Sequence, residues 1–197
     1  DSVFGCWGDL NDPLYGGEYY GEMLKAVYPR IKAADPNAQV MAGGLLLECD
    51  PYTMTVPATC KNEERLHSGY FLEGILKAGG GDYFDILDLH GYGELRMDLP
   101  SRMHSYYHWS PAAGGTGLPE KVAFARRLLA QYGHPDKPIV ATELALKCEE
   151  PSDECQEVGA AYIPRAFAEA HELGLKFASY YALITEFKYK GLLLPDL

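Results

Sequence analysis

Residues 138–146 read PIVATELAL, an apolar run of strand length into which a carboxylate, Glu143, is set where another apolar side chain is expected. Such runs, short and rich in Ile, Val and Thr, favour extended backbone over helix. On either side the period changes. Residues 119–133, PEKVAFARRLLAQYG, carry apolar side chains at helical spacing. Residues 158–173 do the same before a further apolar run at 175–184, LKFASYYALI. The repeated unit is one strand and one helix.

The alternation extends to the start of the chain. A helix is predicted over 18–34, EYYGEMLKAVYPRIKAA, with Tyr20, Leu24, Val27 and Ile31 on one face and Pro29 expected to kink or end it. QVMAGGLLL (39–47) and YFDILDLH (83–90) read as strands, and SGYFLEGILKAGG (68–80) as a helix closed by glycines. Strands so nearly continuous in apolar residues predict a parallel sheet covered on both faces, in a doubly wound sheet or a (β/α)₈ barrel. Connections after strands run to about ten to thirty residues and those after helices to about four or five, and barrels elaborate the loops after their strands. No GxGxxG follows a strand, and the GGG at 79–81 closes a helix, which disfavours a doubly wound dinucleotide module. The expected fold class is therefore α/β, a partial TIM barrel. Residues 1–197 are read as one catalytic-domain fragment, the C-terminal half of the barrel, with four parallel strands equivalent to strands 5 to 8. The N-terminal half is expected to be absent, since DSVFGCWG lacks an initiator Met and reads as the start of an excised piece.

Charge and cysteine usage bound the partners. With 28 acidic against 17 basic residues, the net charge of −11 repels phosphate backbones, so nucleic acid is not expected. No apolar run approaches the roughly 20 residues that span a bilayer, so no membrane partner is expected. The five cysteines, Cys6, Cys49, Cys60, Cys148 and Cys155, include no CxxC, and neither a metal nor a cofactor is expected. Cys49 with Cys60 and Cys148 with Cys155 suit two local disulfides in an oxidising compartment, with Cys6 left over; free buried thiols are the alternative.

Glu143 follows Ile139 and Ala141 at strand period, which predicts that it shares their face and opens into a barrel mouth. There a carboxylate can attack an anomeric carbon, or it can pair with an arginine or cap a helix. His90 and Tyr92, in the neighbouring strand, can hold such a carboxylate ionised through hydrogen bonds. One of Tyr180 and Tyr181 must face the interior and can stack on a sugar, as can Trp7 in the GCWG loop; both can equally be packing residues. Asp88 points the same way as His90 and is expected to be a buried partner of another polar group. SRMHSYYHWS, with His104, His108 and Trp109, is expected in a long loop, and the His104/His108 spacing alone makes a weak metal motif.

In this order YPRIKAADP, QVMAGGLLL, FDILDLHGYG, PIVATELAL and FASYYAL resemble the second half of a clan A glycoside hydrolase barrel, the group with cellulase-like and β-xylosidase-like enzymes. The resemblance implies a retaining, two-glutamate hydrolysis of a poly- or oligosaccharide. It implies that Glu143 is the nucleophile, that His90 and Tyr92 line the active site, and that Tyr180 stands where many relatives carry a subsite Trp. The family's acid/base lies in an Asn-Glu-Pro motif after strand 4, which does not occur here. The nearest string is Asn11-Asp12-Pro13, and no apolar strand precedes Asp12. The acid/base is thus expected upstream of Asp1, on the missing N-terminal half-barrel, and the chain alone is expected to be inactive. Loop cysteines and the resemblance imply a secreted or cell-surface protein. The competing reading is a non-catalytic carbohydrate-binding barrel.

Overall fold

In the computed structural model, residues 7–47, 49–52, 68–95, 103–105, 116–148 and 152–183 are described. They form α1 (Gly17–Ala34), β1 (Met41–Leu45), α2 (Phe71–Lys77), a 3₁₀ turn (Gly80–Tyr83), β2 (Ile86–Leu95), β3 (Met103–Ser105), α3 (Leu118–Gln131), β4 (Ile139–Lys147), α4 (Asp153–Glu172) and β5 (Ala178–Tyr180). Strands β1, β2, β4 and β5 are parallel and lie side by side in chain order. Short β3 adds antiparallel to the far end of β2, within the stretch expected to be loop. Chain order without reversal is the winding of a barrel, whereas a doubly wound sheet reverses at a switch point.

The helices pack against one another in succession, α1 on α2, α2 on α3 and α3 on α4. They form a single layer along one face of the sheet, not the two layers that the apolar strands suggested. Between sheet and helices lie Leu72, Ile75, Leu87, Leu89, Leu118, Leu128, Leu129, Ile139 and Tyr162, all essentially without solvent access. Each such side chain stabilises by about 1.5–3 kcal/mol relative to exposure. This one-sided core leaves the other face of the strands available to polar side chains.

Several elements depart from the sequence expectation for identifiable reasons. Pro29 neither ends nor shortens α1, which continues to Ala34, where the Asp35 N–H bonds Ile31 O at 2.8 Å. Pro29 is exposed, so the carbonyl it frees can be hydrated. Val27 is exposed as well; the buried face of α1 is Gly17, Gly21 and Leu24. Those glycines let α1 close onto α2, for a Cβ at Gly17 would stand 2.1 Å from Phe71 O. Helix α4 starts five residues before the expected 158, because Ser152 caps it by accepting from Cys155 N at 3.1 Å. Strand β2 runs on through HGYGEL and β5 is only three residues long.

Candidate active site

Glu143 reaches the polar face through an irregularity in β4. Leu87, Asp88 and Leu89 stand opposite Ile139, Val140 and Ala141, but His90 stands opposite Glu143. Thr142 is thus an extra residue, a β-bulge, and the same extra residue appears on the β5 side, between Ala141↔Ala178 and Leu144↔Tyr180. Without it, strand period would send Glu143 towards the helices with Ile139 and Ala141. The expectation that Glu143 shares their face is corrected accordingly: it shares the face of Val140. Nor is it at the strand's end, since β4 continues to Lys147.

The HGYG segment of β2 explains which face is which. A Cβ on Gly93 would lie 2.4 Å from the Tyr162 ring of α4, and one on Gly91 would lie 2.8 Å from Leu144 Cδ2, so both glycines face the helix side. By alternation His90 and Tyr92 project from the opposite face, together with Asp88. There His90 Nδ1 lies 3.2 Å from Glu143 Oε2, and the Tyr92 hydroxyl donates to that same oxygen. The Glu143 side chain keeps 31 % of its surface accessible and His90 keeps 18 %. The carboxylate is therefore oriented by two neighbours yet open on one side.

A further polar layer lies beneath. Asp88, buried, accepts from Thr142 N at 3.0 Å, from the Thr142 hydroxyl at 2.6 Å and from Gly44 N at 3.2 Å. Thr142 Oγ1 is in turn 3.3 Å from His90 Nε2. The ring fits only because residue 44 is glycine, where a Cβ would stand 1.9 Å from His90 Nε2. Lys121 comes from α3 with its buried ammonium bonded to Leu46 O and, at 2.6 Å, to His90 O, which ties the end of β1 to the middle of β2. Burial pushes the His90 imidazole below its ordinary pKa; the charges of Glu143 and Asp88 oppose that, and Lys121 adds to it. The role of Asp88 as a buried polar partner was legible in the sequence; Thr142, Gly44 and Lys121 were not singled out.

The structure brings Glu143, His90 and Tyr92 together, and leaves the two other sugar-binding candidates apart. Tyr180 is in register with Leu144, and its ring centroid is 6.4 Å from that of buried Tyr162, on the helix side. Alternation then gives the opposite side to Tyr181, whose N–H bonds Leu144 O at 2.8 Å. Trp7 packs edge-on against Tyr20, centroids 5.2 Å apart, over an apolar cavity of about 160 Å³ that includes Tyr15, Phe71 and Gly43 to Leu47. Asp12 accepts from Leu14 N at 2.8 Å and so closes its own turn. His104 falls on β3, while His108, Trp109, Cys6 and Cys60 lie outside the described residues. Cys148 and Cys155 form a disulfide, with Cα atoms 6.2 Å apart, and Cys49 is also disulfide-bonded. Among the described residues no His, Cys, Asp or Glu cluster has the makings of a metal site.

No protein-family model and no curated protein matches the chain. Solved structures do share its fold. They include an α-L-arabinofuranosidase from Thermotoga maritima, with a TM-score of 0.52 and 18 % identity over 86 % of this chain and 31 % of that one. A monomeric β-xylosidase from Caulobacter crescentus gives a TM-score of 0.55 and 19 % identity over 96 % of this chain and 37 % of that one. An endo-1,4-β-D-mannanase from Thermotoga petrophila gives 0.55 and 19 % over 97 % of this chain and 50 % of that one. At these identities the likeness is one of fold, and the chain spans from 31 % to 50 % of the length of these structures. The shared fold is that of a partial (β/α)₈ barrel, the fold class expected from the sequence.

Proposed function

We propose that the chain is part of a retaining glycoside hydrolase acting on a poly- or oligosaccharide, with Glu143 as its nucleophile. The observation that carries this reading is the convergence of Tyr92 and His90 on Glu143 Oε2, on the strand face away from the helices. Two neighbours on one oxygen orient the carboxylate, and Oε1 is left to attack the anomeric carbon. The glycosyl ester so formed would be released by water, with a second carboxyl group about 5 to 5.5 Å away first protonating the leaving oxygen and then taking the water's proton. That second group is proposed to lie outside this chain, because Asp12 is engaged in its own turn and Asp88 is engaged by Thr142 and Gly44.

The partner that would supply it is the N-terminal half of the same barrel. Large apolar side chains are exposed on the first and last elements, Tyr19 on α1 and Met41 on β1, Phe167 on α4 and Phe177 just before β5, with Met41 49 % and Phe177 55 % accessible. Four more strand–helix units would cover both flanks and pair both edge strands. The chain alone is accordingly proposed to be inactive. A disulfide between Cys148 and Cys155 favours a secreted or cell-surface setting.

The test is a panel of aryl glycosides offered to a longer protein extended upstream by about 150 residues, roughly the missing half of a barrel of ordinary size. Turnover that falls by several orders of magnitude in Glu143→Gln supports the proposal. Sugar binding without turnover favours a carbohydrate-binding barrel instead, and turnover by the 197-residue chain alone would refute the placement of the acid/base.

A further inference from the structure

A string of contacts runs from buried Asp88 to Glu143, and its protons can be counted. The shortest bond to Asp88 is from the Thr142 hydroxyl, 2.6 Å, and the backbone N–H groups of Thr142 and Gly44 donate to the same carboxylate. Three donors on one side chain match an acceptor-only carboxylate. With its proton committed to Asp88, Thr142 Oγ1 offers only a lone pair to His90 Nε2, 3.3 Å away. The Nε2 position must then carry the ring proton. On the other side of the ring, Nδ1 faces Glu143 Oε2 at 3.2 Å, and Tyr92 donates to that oxygen. The links Asp88–Thr142, Thr142–His90, His90–Glu143 and Glu143–Tyr92 number four, whereas Thr142, a neutral His90 and Tyr92 supply three protons.

We infer that Asp88 is a positioning residue that acts through Thr142 to hold the proton of neutral His90 on Nε2, leaving Nδ1 bare towards Glu143, so that the His90–Glu143 pair binds one further proton between Nδ1 and Oε2. Among the described residues, the groups that face His90 are Asp88 and Tyr92 from its own strand, Glu143 and Thr142 from β4, Gly44 from β1, and Lys121 from α3. The functional consequence rests on the proposed role of Glu143 as nucleophile. With the shared proton on Nδ1, Glu143 is a carboxylate held by two donors. When that proton is lost, two lone pairs face one another and the imidazole no longer orients the carboxylate.

The experiment is a long-range ¹H–¹⁵N correlation of the ¹⁵N-labelled 197-residue chain, with the signals of His90 among its six histidines assigned from the spectrum of His90→Gln. Above its titration, His90 is expected in the Nε2–H form. Asp88→Asn should switch it to Nδ1–H, because the new amide donates to Thr142 Oγ1 and turns the hydroxyl proton towards Nε2, while Thr142→Ser should keep Nε2–H. A neutral wild-type ring protonated on Nδ1, or a folded Asp88→Asn variant that retains Nε2–H, would overturn the inference. Should Asp88→Asn fail to fold, the wild-type tautomer and the loss of preference expected in Thr142→Val decide the matter. These spectra need no activity, so an inactive extended protein would sink the glycosidase reading while leaving the proton placement to stand or fall by itself.

Discussion

Glu143 stands opposite His90 although Ala141 stands opposite Leu89, so two steps along β4 correspond to one along β2. The residue that makes up the difference, Thr142, is not idle: its hydroxyl and its N–H both go to Asp88. The bulge thus sends consecutive side chains to the same face, one to a buried acid and the next to an accessible site. A regular strand delivers only every second residue to a face, and bulges are a recurrent means of re-aiming a side chain beside a functional site.

The Tyr92 phenol is nearly buried, and its hydroxyl donates to the Glu143 carboxylate. Hydrogen bonds to charged groups are worth about 1.5–3 kcal/mol, and the partial exposure of Glu143 reduces that here. Tyr92→Phe, which keeps the ring and its packing, is expected to lower unfolding stability by about 1 kcal/mol in urea titration with an unchanged m-value. A loss indistinguishable from zero would show that the hydroxyl does not hold Glu143.

Gly93 is a second sensitive position in the same motif. Its missing side chain makes room for Tyr162, which is fully buried and cannot swing aside. Gly93→Ala is expected to destabilise by about 1–3 kcal/mol through overpacking. In the double variant with Tyr162→Leu the combined loss should be smaller than the sum of the single losses, since the two changes act on one space. Strict additivity in thermal or urea unfolding would remove the steric explanation.

Much of the strand and helix order was legible because the apolar period changes cleanly at each boundary, as in PIVATELAL against PEKVAFARRLLAQYG. Strand alternation in HGYG also predicted that His90 and Tyr92 share a face, and the close approaches at Gly91 and Gly93 put them on the face away from the helices. What stayed hidden has a common physical cause, contact made by groups that carry no apolar signal. Gly17 and Gly21 form the packed face of α1 where spacing pointed to Val27. Thr142 inserts without altering the composition of its strand. Tyr180 and Tyr181 are chemically identical neighbours, and only the register with Leu144 tells them apart. Lys121 sits in a helix whose charge predicts solvent, yet its ammonium is buried on two carbonyls.

At the opposite end of the strands, Asp85 contributes to the acid limb of stability. Burial would raise its pKa, but hydrogen bonds from Lys32, from Val40 N–H at 2.8 Å and from Tyr28 at 2.9 Å outweigh burial and hold it low. Because the folded carboxyl is the stronger acid, the unfolded chain binds the proton first as pH drops. The stability from Asp85 is therefore present above the ordinary carboxylate pKa of about 4 and is lost as pH falls through the lower folded value. Unfolding free energy measured from pH 6 down to pH 2 should decline on this account, and Asp85→Asn should be less stable at pH 6 with a shallower decline. An equally steep acid limb in the variant would mean that other carboxylates set it.

The Cys148–Cys155 disulfide ties the end of β4 to the first turn of α4, across seven positions of sequence. Both cysteines are buried, Cys155 completely, and the Cys155 N–H is the one accepted by the Ser152 cap. The cross-link and the cap therefore fix the same turn of helix from two sides. A loop of this length removes about 2.5 kcal/mol of chain entropy from the unfolded state. Replacing both cysteines by alanine is expected to cost about 2–3 kcal/mol in chemical unfolding, with a larger m-value because the denatured chain expands. Glu143 is held by Tyr92 and His90 and not by this turn, so the proton position on His90 should be the same in the disulfide-free variant while it remains folded. A shift in that tautomer would mean that the β4–α4 connection, and not the bulge at Thr142, sets the direction of Glu143.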